Sequence, residues 1–342
     1  MTIETKLFGT LNDGTPIYEY QLKNSQGTIA KIINYGAILR SFQLADGVEL
    51  TLGFDSLEDY VARNQHYFGG IIGRVANRIK HGQFTLEGKH YQLVRNTPPH
   101  HLHGGIHGFH TVVWEAEIQE NKLRLKYVSI DGEENYPGNL KVVVEYQLND
   151  NNEFSIEYKA ETDQATPVNL THHAYWNLAG AGQTILDHEI EIHTEKYIEV
   201  DSTLAPTGKI LPVKNTPFDL CQRQSLHAST HAAHNGYGHD QCYDLNNREQ
   251  NFILAALVWE PISKRTMRVF TNQPGMQLYT GNSLDKLQGA KGIIFDRFGG
   301  FCLETQNFPD AVNHNNFPNS ILRPGEVYEQ KTVYHLFSAT FS

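Results

Sequence analysis

His172 and His173 stand side by side in THHAYWNL, residues 171–178, a stretch without one charged side chain. A run this apolar is buried and carries imidazole, the side chain whose ordinary pKa lies closest to neutrality, into the interior. On a strand, the two-residue period puts His173, Tyr175 and Asn177 on one face and His172, Ala174, Trp176 and Leu178 on the other. The first face is polar and ring-bearing, as a ligand site would be. A carboxylate to complement it is Glu304, which follows Phe301, Cys302 and Leu303 and precedes the turn-prone Thr305–Pro309. An acid at the end of a mostly buried strand is expected to have its pKa raised toward use as a base. The competing reading is a buried ion pair with an arginine.

Three other segments carry candidate chemistry. GRVANRIKHG, residues 73–82, sets Arg74 and Arg78 around small residues. No Gly-Lys-Ser/Thr follows, so it is not a phosphate loop, and Arg78 is a candidate donor to a ligand. HHLHGGIHGFH, residues 100–110, has five histidines in eleven positions. His101 and His103 would share a strand face and could hold a metal, but a cupin-type site needs a carboxylate where Gly108 and Phe109 stand. No essential metal is therefore expected, and Gly104-Gly105 suggests a tight turn that brings His103 close to a neighbour. Asp240, in GYGHDQCYDL, lies in a glycine-rich loop where acids commonly make turn hydrogen bonds.

The elements that must position these residues read as strands. LKVVVEYQL (140–148) alternates apolar and polar positions, NDNN (149–152) supplies a turn, and EFSIEYKA repeats the pattern, which makes a hairpin. TIAKII (28–33), LRLKYVSI (123–130), HEIEIHTEKYIEV (188–200), TMRVFTN (266–272) and GFCLET (300–305) are further strands. Helical period is confined to SLEDYVAR (56–63), with Ser56 as N-cap, and ILAALVW (253–259). Many short strands with few helices predict an all-β antiparallel sandwich. No composition break divides residues 1–342, so one domain is expected.

A net charge of −10 over 342 residues argues against nucleic acid or an anionic membrane as partner and suits a neutral ligand. Cys221, Cys242 and Cys302 are odd in number and widely spaced, as reduced thiols are. The N-terminus lacks a signal-peptide core, and the longest apolar run, 252–259, is far below the ~20 residues of a membrane span. A soluble, cytoplasmic protein is expected.

From NYGA at 34–37 to LRPGEVY at 322–328 the chain resembles the aldose 1-epimerases, or galactose mutarotases. Four blocks carry the likeness: GRVANRI (73–79), HLHGG (101–105), NLTHHAYWNL (169–178) and FCLETQNFPDAVN (301–313). The resemblance implies the large antiparallel sandwich of that family, the mutarotase supersandwich. It also implies interconversion of the α and β anomers of free aldohexoses such as galactose and glucose, an early step of hexose metabolism, with no cofactor. By the same likeness His173 would be the proton donor, Glu304 the proton acceptor, and His103 a contact to the C1 oxygen. Asn77, Arg78, Tyr175, Asp240, Gln277 and Tyr279 would contact the monosaccharide, with Asp244 the alternative to Asp240 and Trp176 another candidate stacking ring. Glu304 would be ionised and His173 held protonated by neighbouring acids. A related epimerase of hexose 6-phosphates would gather several Arg or Lys, and a non-catalytic sugar-binding sandwich would need no acid and base pair.

Overall fold

Leu140, Val142, Val144, Tyr146 and Leu148 are all buried, and the residues between them meet solvent or the rim. Their partners across the expected hairpin, Phe154, Ile156, Tyr158 and Ala160, are buried on the same face, in antiparallel register from Leu148–Phe154 to Leu140–Thr162. The structure, a computed structural model describing residues 2–338, extends this hairpin into a nine-stranded antiparallel sheet. Its strands run in the order 115–119, 122–129, 140–148, 153–162, 328–338, 265–271, 253–259, 189–192 and 224–225.

A five-stranded antiparallel sheet, ordered 206–212, 196–200, 240–244, 275–279 and 302–306, packs on this one. The Tyr334 hydroxyl donates to Leu303 O at 3.1 Å, and Gln330 Nε2 donates to Thr305 O at 2.9 Å. Tyr146, Met276, Leu303 and Tyr334 belong to one apolar core between the sheets. A four-stranded sheet, within residues 2–43, adds Leu22, Ile32, Leu39 and Phe42 to that core. The architecture is the expected all-β antiparallel sandwich. Helices are few and short: Leu57–Arg63, where the expected cap Ser56 accepts the Asp59 N–H at 3.1 Å, and Leu226–Ala232, which the sequence reading did not anticipate. No helix among the described residues is long and apolar enough to cross a membrane.

Three expectations are corrected. Ile253–Trp259 is a strand, because it pairs in a hairpin with Arg265–Thr271 and a bulge at Leu254/Ala256 breaks the alternation that would have revealed it. Residues 188–200 form two strands, Glu189–Ile192 in the larger sheet and Lys196–Val200 in the smaller, so the chain changes sheets there. THHAYWNL is a strand only at Thr171–His172, paired with Ile71–Ile72, and beyond that it is held by single bridges from Trp176 to Thr51 and Phe301.

Candidate active site

Register on the five-stranded sheet builds the floor of the site. Cross-strand pairing sets Glu304 beside Gln277, and Cys302 beside Tyr279, which is itself beside Asp240. Directly paired residues share a face, so Asp240, Gln277, Tyr279, Cys302 and Glu304 all point away from the core. Leu303 and Thr305, one position out of phase, point the other way: Leu303 lies in the apolar core, and Thr305 Oγ1 is hydrogen-bonded to Thr332 Oγ1 of the larger sheet at 2.5 Å. Segments around residues 65–78, 97–103 and 173–175 supply most of the remaining lining, with Tyr237 and Ser283 completing it.

His103 reaches the pocket through its backbone. It is left-handed at φ +52°, and Gly104 follows at φ +83°, where a Cβ would stand 1.7 Å from Gly73 O. The turn therefore needs glycine at 104. The Asn77 N–H donates to His103 Nδ1 at 3.2 Å, and the His103 N–H returns a bond to Asn77 O at 3.0 Å. With Nδ1 accepting, the neutral ring carries its proton on Nε2 and is a hydrogen-bond donor through that atom. Arg78 adjoins Asn77 and lies 3.8 Å from Asp240 Oδ2, while Gln277 Nε2 donates to Asp240 Oδ1 at 2.6 Å.

His173 Nε2 is 3.7 Å from Glu304 Oε1, and both side chains are buried. On the other side of the ring, Cys302 Sγ lies 3.6 Å from Nδ1, and Tyr175 stacks on it at 5.2 Å and 28°. Burial, reinforced by Asp240 and opposed by Arg78, raises the Glu304 carboxyl well above its ordinary pKa. Burial pushes His173 down to about 3 and holds His103 well below the usual imidazole value, with His173 and Arg78 adding to the latter shift. Burial thus disfavours the charged form of all three groups. The Glu304 shift has the direction expected of a buried strand end, whereas His173 shifts against the expectation that neighbouring acids hold it protonated, because burial is its largest influence.

Of the expected site residues, Asn77, Arg78, His103, His173, Tyr175, Asp240, Tyr279 and Glu304 line one pocket. Gln277 meets it through Asp240, from beneath. Asp244 is elsewhere, buried against the Arg248 guanidinium at 2.9 Å, and of the two acids only Asp240 lines the pocket. Two assignments on the 171–178 stretch change. Asn177 turns away and donates to Gln183 O and Gly299 O, and Trp176 is buried in the core against Phe42 and Tyr334, unable to stack on a ligand here. His172 also faces the core, near Tyr146 and Tyr334.

His101 does not share a face with His103. Its ring is bonded to Val94 O and the Tyr136 hydroxyl, because the strand ends at Leu102 before His103 turns. Ligand atoms of His103, His173 and Glu304 do lie within 4.8 Å of one another, a donor set of two imidazoles and a carboxylate. The Asn77 bond keeps the His103 proton on Nε2, so that nitrogen has no lone pair for an ion and the set fits a metal poorly. Arg74 is structural: its buried guanidinium donates to the carbonyls of Pro137, Gly138 and Ser129. Gln65, His66, Tyr67, Thr97, Tyr237 and Ser283 also line the pocket, and no spacing or motif in the sequence had singled them out.

The profile of the aldose 1-epimerase family matches residues 18–335. The chain is 44% identical to galactose mutarotase of Rattus norvegicus, over 98% of each chain. It is 33% identical to aldose 1-epimerase of Escherichia coli, over 95% of this chain and 97% of that one. The solved galactose 1-epimerase of Lactobacillus acidophilus superposes with a TM-score of 0.87 at 27% identity, covering 99% of this chain and all of the other. Sequence profile, full-length relatives and fold agree, and the chain belongs to the aldose 1-epimerase family.

Proposed function

We propose that this protein, acting as a single domain, interconverts the α and β anomers of free aldohexoses such as galactose and glucose, with His173 and Glu304 as the proton-transfer pair. The observation that carries the reading is the 3.7 Å separation of His173 Nε2 and Glu304 Oε1. In a cyclic aldose the two oxygens that exchange protons, O1 and O5, are bonded to the same carbon. An acid and a base for this reaction must therefore be close neighbours, and these are.

The pair shares one proton, which burial favours on the carboxyl. Sugar hydroxyls and the Arg78 guanidinium offset the cost of charge, and the proton passes to His173. Glu304 then removes the O1 proton while His173 protonates O5. The C1–O5 bond breaks as C1=O1 forms, the C1–C2 bond rotates, and O5 closes on the other carbonyl face as both protons return. Each positioned group contributes roughly 10²–10⁴ in rate. His103 Nε2–H donates to O1 as it becomes a carbonyl oxygen, and Asp240 and Arg78 hold the remaining hydroxyls so that the open chain stays in place. Tyr175 and Tyr279, edge to face at 6.0 Å, offer rings to the C–H surface of the sugar.

Arg78 is the one Lys or Arg among the pocket residues, and Asp240 and Glu304 offset it. That balance supports a neutral sugar over a hexose phosphate, which would call for more cations. A cytoplasmic setting suits the three free thiols. Polarimetry on freshly dissolved α-glucose, α-galactose and a pentose tests the reading. Rotation should reach equilibrium faster in proportion to added protein, and unchanged rates for every sugar would refute it.

A further inference from the structure

Tyr67 takes no part in the scheme above, yet it is held in a conformation that its side chain resists. Its φ is +62°, in the left-handed region, which Asn and His visit several times more readily than a bulky aromatic does. Such outliers persist only where the surroundings fix them, and they concentrate at functional sites. Here the fixing is visible. The Tyr67 N–H donates to Asn64 O and Tyr67 O accepts from Gly70, while Gly69 donates to His173 O at 2.9 Å and His173 N–H donates to Gly70 O at 3.0 Å. The segment carrying Tyr67 is thus laced to the backbone of His173 itself.

The ring sits among three imidazoles, 4.7 Å from His103, 4.7 Å from His110 and 5.6 Å from His173. It lines the pocket, and its hydroxyl makes no hydrogen bond to any described residue and is not sealed from solvent. Largely enclosed phenols ordinarily find a partner. This one is left for whatever occupies the pocket. Burial pushes its pKa up to about 12, against the pull of Arg78, so it remains a donor at neutral pH.

We propose that the Tyr67 hydroxyl is a further substrate contact, donating a hydrogen bond to an aldose oxygen on the side of the pocket where His103 and His173 act. The proposal rests on the anomer-exchange reading. Its test compares wild type, Tyr67→Phe and Tyr67→Leu by polarimetry, by calorimetric titration with galactose and by thermal melting. Tyr67→Phe keeps the ring and the packing and should melt as wild type does, yet lose about five- to tenfold in kcat/KM, the worth of one neutral hydrogen bond. Unchanged kcat/KM and unchanged galactose affinity in Tyr67→Phe would overturn the proposal, and a loss confined to Tyr67→Leu would show the ring to be a packing wedge only. If wild type binds galactose without turning it over, the anomer-exchange reading fails. The affinity of Tyr67→Phe then decides the contact by itself, with a weakening supporting it and no change overturning it.

Discussion

His173 Nε2 and Glu304 Oε1 face each other across 3.7 Å, too far for a hydrogen bond and close enough for both to reach oxygens of one hemiacetal. One strand and one irregular segment create this approach. Glu304 is fixed by its register with Gln277, and His173 by backbone bonds to Gly69 and Gly70.

Only one of the adjacent histidines faces the pocket, so their substitutions should part. His173→Asn should lower kcat by about 10²-fold or more, the loss of a positioned acid. His172→Asn, in the core near Tyr146, should cost stability by roughly 1–3 kcal/mol and leave turnover per folded molecule near wild type. Equal losses of kcat in two folded variants would contradict the assignment.

Burial raises the Glu304 carboxyl and lowers His173 to about 3, so His173 should not titrate at the ordinary imidazole value. Turnover should be level from about pH 5 to 7, with no limb at the ordinary imidazole value near 6.5. A kcat/KM profile halved near that pH would contradict the proton placement.

Stability should fall with pH over the same range. Burial pushes His110 and His188 to about 4, and His172, His173 and His239 to about 3. The unfolded chain binds protons at these sites below about 6.5 and the folded chain does not, so each contributes stability that is lost as pH drops from there toward 3 or 4, by up to about 1.4 kcal/mol per unit. Glu304 acts in the opposite sense, its contribution being present at low pH and lost as pH rises through its raised value. The imidazoles outnumber it, and melting temperatures from pH 7.5 to 5 should decline. A flat or rising trend on acidification would count against the buried neutral rings.

The His103 tautomer set by Asn77 leaves no third ligand for an ion in the pocket. Dialysis against a strong chelator should leave mutarotation intact. Loss of activity restored by added zinc or manganese would sink this view.

The sandwich was legible because its strands are half-buried and alternate openly, as 140–148 and 153–162 do. The blocks around Arg78, His103, His173 and Glu304 were legible from residue type and company. What escaped were features set by tertiary partners. The bulge hid the strand at 253–259, the switch between sheets split 188–200, and single bridges left His173 and Tyr175 on the pocket side while turning Asn177 away. Tyr67 escaped because its place depends on a left-handed turn bonded to His173, and no spacing records such a contact. The lowered His173 pKa escaped too, since the depth of its burial is a property of the folded pocket.

Glu304→Gln is the most direct test of the whole account. Glutamine keeps the volume and can still hydrogen-bond the C1 hydroxyl, but it cannot take the proton. With kcat from polarimetry measured beside the melting temperature, the variant should remain folded, keep KM near wild type and lose about 10²-fold or more in kcat. A folded Glu304→Gln protein with wild-type turnover would show that this carboxyl is not the base.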